Sequence, residues 1–129
     1  MERNEKVQYW IKSSEYDWKV SEHLFEKGDY PYSLYLGHLT IEKLLKALYV
    51  NKFEDTPPLT HRLTYIANKI ELELSPDKLE ILEIITGFNL EARYPDDKFL
   101  FYNKCTKEFT ETQRNKINEI RKWLMEKIP

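Results

Sequence analysis

The side chains best placed for chemistry gather around a few short stretches, and Arg93 in "NLEARYPDD" is the first of them. There a helix-compatible run meets Tyr94, Pro95 and two aspartates. A guanidinium held at a helix end beside a rigid turn can grip a phosphate or carboxylate with its planar donors. The competing arrangement is a surface ion pair with Glu91, Asp96 or Asp97, which is common and weak. Both readings are open at this level. Tyr94 adjoins Arg93, and Lys98 and Lys104 follow as secondary phosphate candidates.

A second group is His38, Glu42 and Lys46, spaced four apart so that all three share one helix face. Glu42 could orient His38 or hold a partner's basic group; the structural alternative is a polar seam that satisfies itself between packed helices. His61 follows Pro57 and Pro58 and reads as a helix-start or loop contact rather than a catalytic base. His23, His38, His61 and Cys105 lack the short paired spacings of zinc sites, so no metal site is expected. Glycine-rich phosphate loops, strained serine motifs and His-Glu-x-x-His helices are missing too, and nothing calls for a cofactor. The nine tyrosines and three tryptophans are more suited to core and interface than to base stacking.

The elements that must position these groups are helices. Only Gly28, Gly37 and Gly87 are glycines, too few for a turn-rich β domain. With 41% apolar and 33% charged residues, the 129-residue chain suits amphipathic helices and one domain spanning residues 1–129. A net charge of −2 gives no global attraction to nucleic acid or an anionic membrane, so any RNA contact must be local. The lone Cys105 points to a reducing compartment, and the charged start "MERNEKVQYW" with no long apolar run points to a cytoplasmic protein away from membranes.

Helical spacing predicts a first helix from Val7 to Phe25, with Ser14 and Ser21 on its apolar stripe where a neighbour can approach closely. Gly28 should end it, and Pro31 should open a central helix that is apolar around much of its circumference, from about Tyr32 to Lys52. "EDTPPL" breaks that helix. Leu63, Ile66, Ala67 and Ile70 mark a shorter helix, and Ser75 caps a fourth that runs from Pro76 to Arg93 with Asn89 or Leu90 facing inward. Residues 95–107 have no helical period but carry Phe99, Leu100, Phe101 and Tyr102, an apolar loop that must fold back on the bundle or meet a partner. Thr110 and Gln113 have capping-box spacing ahead of Ile117, Ile120, Leu124 and Ile128. The expectation is an all-α bundle of four main helices plus one shorter helix.

Taken together, "SLYLGHLTIEKLLKALYV", "PPLTHRL" and "ARYPD", in that order, resemble the small HEPN-domain proteins over nearly the whole chain. The resemblance implies an antiparallel up-and-down bundle, commonly a homodimer, often paired with a minimal nucleotidyltransferase in a toxin–antitoxin-like system. Many relatives are metal-independent ribonucleases in which an arginine is followed about one helical turn later by a histidine. That histidine would move the proton while arginine stabilises phosphorane charge. Here Arg93 is followed by "YPDDKFLFYNKCT", and no histidine occurs after His61. The expected function is therefore a nucleotide-, RNA- or protein-binding module in which Arg93 and Tyr94 contact the ligand. The alternative is an endoribonuclease using Arg93 with His38, His61 or Tyr94 as an unorthodox acid–base group.

Overall fold

In the computed structural model, which describes residues 2–129, the described chain folds into six helices: α1 (Arg3–Glu26), α2 (Tyr30–Phe53), α3 (Leu63–Lys69), α4 (Pro76–Arg93), α5 (Leu100–Lys104) and α6 (Lys107–Glu126). No strand occurs among the described residues, and no helix there is long and apolar enough to cross a membrane. Gly28 ends α1 in the left-handed region at φ 82°, and Pro31 occupies the first turn of α2.

The short turn makes α1 and α2 an antiparallel hairpin. Ser21 meets Ser33 and Ser14 meets Thr40, so one partner number rises as the other falls. These contacts are small-residue hydrogen bonds: Ser14 Oγ donates to the Thr40 carbonyl at 2.8 Å, and the Ser21 and Ser33 hydroxyls each donate to the other's carbonyl at 2.8 Å. Small side chains bring the backbones together, and each buried hydroxyl finds a carbonyl, which removes the cost of burying it unpaired.

Central α2 packs against α1, α4 and α6, as its near-continuous burial from Thr40 to Leu48 requires. Leu34, Ile41, Leu44 and Leu45 face Leu63, Ile66, Leu82, Ile85, Ile117 and Leu124 in the main core. A smaller cluster of Val7, Ile11, Ala47 and Val50 seals the other end of the hairpin. α6 comes close to α2 at Gly37, where an added Cβ would lie 2.7 Å from Ile117 Cδ1.

Two local expectations are corrected. The 95–107 segment is not all loop, because α5 occupies Leu100–Lys104, giving four long helices and two short ones. Asp96 nucleates it: its carboxylate accepts from the amides of Lys98 at 3.3 Å and Leu100 at 2.8 Å. Five residues are too few to show a 3.6-residue period. α5 folds Phe101 back onto Phe88 and leaves Phe99 and Leu100 exposed. The second correction concerns α6, whose cap is Thr106, accepting from the Phe109 amide at 3.1 Å. Thr110 lies buried inside the helix with its hydroxyl donating to the Thr106 carbonyl. A threonine four residues upstream competes for the same role, and sequence spacing does not say which one leaves helical geometry.

Candidate functional site

The central groups come from α2, the loop before α3, and the C-terminal turn of α4. Glu42 sits on the buried face of α2 at 4% exposure, too deep for a carboxylate to stay charged without partners. It has two: Oε1 lies 2.8 Å from His61 Nδ1, and Oε2 accepts from Lys46 Nζ at 3.0 Å. The Lys46 ammonium also stands 5.5 Å from the Trp10 ring centroid. The His61 side chain is more than half exposed.

His38 lies one turn before Glu42 with no exposed surface. The pair is only 3.9 Å apart, and the imidazole makes its hydrogen bonds elsewhere. Its Nε2 is 2.9 Å from the His61 carbonyl and its Nδ1 is 3.4 Å from Asn89 Nδ2. A carbonyl can only accept, so Nε2 carries the proton and Nδ1 is left to accept from the Asn89 amide. Burial holds His38 below the ordinary histidine range, opposed by the His61 carbonyl and the Glu42 charge; His61 and Arg93 push the same way as burial. The ring is neutral, closed to solvent and fully bonded.

Arg93 closes α4, where Pro95 disfavours helical geometry for Tyr94. Its Nε donates to the Asn89 carbonyl at 3.1 Å, and Nη2 donates to Asn89 Oδ1. The guanidinium carbon is 5.5 Å from the Tyr35 ring centroid and 5.1 Å from that of Tyr94. Among the described residues Arg93 makes no ion pair, so the alternative pairing with Glu91, Asp96 or Asp97 is not formed. The half-buried cation is held by a neutral amide and two aromatic faces, and its charge is not neutralised. Such a group can take an anion without first breaking a salt bridge.

The structure thus joins His38, His61, Glu42 and Lys46 into one network and links His38 to Arg93 through Asn89. Lys98 and Lys104 stay outside it. Both are exposed; Lys104 lies 5.2 Å from the Phe109 ring centroid and lines a shallow depression with Glu91 and Phe101. Burial raises the Glu91 carboxyl, and Lys104 partly opposes that shift. Cys105 is buried, its thiol pushed up to about 11 chiefly by burial, which removes it as a nucleophile near neutral pH. His23 is exposed on α1 away from these groups.

Sequence reasoning missed Asn89 and Tyr35 as neighbours of Arg93. The available signal was Asn89 itself, a polar residue on the inward stripe of α4 one turn before the arginine. Buried amides need partners, and at four residues' spacing Arg93 was within reach.

The fold and sequence agree with known relatives. The solved structure of TT1696 from Thermus thermophilus superposes with a TM-score of 0.83 at 16% identity, covering 98% of this chain and 99% of that one. ST0689, an archaeal HEPN homologue, gives a TM-score of 0.66 at 23% identity over 95% and 98% of the two chains. No curated protein matches the chain. The HEPN domain model matches residues 7–128, nearly the full length. With that match and the shared bundle, the chain belongs to the HEPN domain family.

Proposed function

We propose that this HEPN protein binds a nucleotide or RNA phosphate through Arg93, with Tyr94 against the adjoining base or sugar. In this reading it works as a homodimer beside a minimal nucleotidyltransferase, in a toxin–antitoxin-like pair. The observation that carries the reading is the Arg93 guanidinium itself, held by Asn89, against the rings of Tyr35 and Tyr94, and without a carboxylate partner among the described residues. A hydrogen bond from a cation to a phosphate is worth about 1.5–3 kcal/mol, on the order of ten- to a hundredfold in affinity. Arg93→Ala should therefore weaken binding of a short fluorescein-labelled single-stranded RNA by that factor in an anisotropy titration. It should also reduce the salt slope by about 0.7, the loss of one phosphate contact. A wild-type chain that binds neither RNA nor adenosine monophosphate, and does not co-purify with a minimal nucleotidyltransferase, would sink the proposal.

One observation favours a second reading, metal-independent endoribonuclease. His61 is exposed and its Nδ1 is fixed by a buried carboxylate, which is how a general base is oriented. His38 is unsuited to that role because both ring nitrogens are occupied in the core. In this reading Arg93→Ala and His61→Ala each remove RNA cleavage in chelator, His61→Ala by about a hundred- to ten-thousand-fold. Cleavage that survives both substitutions excludes it.

A further inference from the structure

The hydrogen bonds around Asn89 admit only one consistent set of directions. The His61 carbonyl must accept, so His38 Nε2 is the protonated nitrogen and Nδ1 is bare. A bare Nδ1 needs a donor, so Asn89 turns its NH2 toward it. That leaves Asn89 Oδ1 facing Arg93 Nη2, where a donor requires an acceptor. Rotating the amide by half a turn would set donor against donor at Arg93 and acceptor against acceptor at His38. Asn89 is 4% exposed, so water cannot repair either mismatch. The His61 end is itself anchored, since its ring nitrogen bonds the buried Glu42 carboxylate. A continuous path therefore runs from the loop before α3, through the middle of α2, to the end of α4.

We propose that Asn89 is the positioning residue for the Arg93 guanidinium, and that His38, oriented by the His61 carbonyl, holds the Asn89 amide in the one direction that presents its oxygen to Arg93. The loop carrying His61 and the anion-binding end of α4 then act as one coupled unit. Whatever displaces the His61 carbonyl frees the His38 tautomer, and with it the Asn89 amide and its hold on Arg93 Nη2, leaving only the bond from Arg93 Nε to the Asn89 main-chain carbonyl. The inference rests on the reading of Arg93 as the phosphate-binding group, although the orientation itself can be tested without any ligand.

The ligand-free test is nitrogen-15 NMR on the intact wild-type chain. His38 should show a protonated Nε2 and a bare Nδ1, and the Arg93 Nη2 proton bonded to Asn89 Oδ1 should give a sharp signal that exchanges slowly with water. The opposite tautomer, or Arg93 Nη protons that all exchange as fast as those of a free arginine, overturns the proposal. The ligand test uses the labelled single-stranded RNA with Asn89→Leu and His38→Leu, each checked by circular dichroism for a folded bundle. Both should weaken binding on the order of tenfold and broaden the Arg93 signal, His38→Leu doing so although Asn89 is still present. If Arg93→Ala weakens binding while both variants bind RNA as the wild type does, the positioning inference fails and the phosphate-binding reading stands. If Arg93→Ala itself changes nothing, that reading fails, and the two NMR signals alone decide the positioning. Should either variant not fold, the wild-type tautomer and Arg93 exchange rate decide between the two outcomes.

Discussion

Gly37 is a tight point between α2 and α6, and its replacement by alanine sets two effects of similar size against each other. Alanine in a helix interior is favoured over glycine by about 1 kcal/mol. Against that, the new Cβ would stand 2.7 Å from Ile117 Cδ1, about 1 Å inside a comfortable carbon–carbon contact, while Cγ2 at 3.6 Å and Cγ1 at 3.8 Å need not move. Ile117 is fully buried, so its δ-methyl has no open space to enter, and overpacking of this kind costs about 1–3 kcal/mol. Gly37→Ala should therefore destabilise by about 0–2 kcal/mol. Valine lacks only the offending δ-carbon. Ile117→Val alone should cost about 0.5–1.5 kcal/mol, yet the double variant should return to within about 1 kcal/mol of wild type, because the new methyl fills the space the old one leaves. Urea denaturation of the four proteins at equal m-value closes the cycle. Effects that add to within about 0.5 kcal/mol would refute the claim that the new Cβ and the Ile117 δ-methyl compete for one space.

The His38 imidazole, held below the ordinary histidine value of 6.5 by burial, predicts acid sensitivity. The unfolded chain takes up a proton there before the native one does, so this contribution to stability is complete above pH 6.5 and is lost as pH falls through the lower native value. His38→Leu should flatten the fall in urea midpoint over that window, and parallel curves for the two proteins would argue against it. Glu91, raised by burial, titrates in both proteins and cancels in the difference. At the start of α6, Thr106→Ala should cost about 1 kcal/mol, with Thr106→Ser within a few tenths; an unchanged midpoint for the alanine variant would remove Thr106 as the working cap.

The helical class, the turn at Gly28 and Pro31, the break at Pro57 and Pro58, and the Ser75–Pro76 start of α4 were all legible in the sequence. So was the position of Arg93 at a helix end. Each depends on forces that act over a few residues: a restricted φ, a missing amide proton, a cap three residues from its partner, or a stripe repeating along one face. α5 and the choice of Thr106 over Thr110 lie at the edge of that range, where a side-chain bond rather than a periodic pattern decides.

The site was legible only as a set of candidates. The four-residue spacing of His38, Glu42 and Lys46 placed them on one face, but Glu42 and His61 pair across 19 residues, His38 and the His61 carbonyl across 23, and His38 and Asn89 across 51. Spacing within one helix says which groups point the same way, and says nothing about what the facing helix or loop offers them. Sequence alone determined that this chain folds as a helical bundle with an arginine at the end of α4. The tertiary structure decided that His38 is sealed in the core, that His61 takes the carboxylate, and that Arg93 keeps its charge unneutralised, because only packing brings a distant carbonyl, amide or aromatic face within hydrogen-bonding or stacking distance.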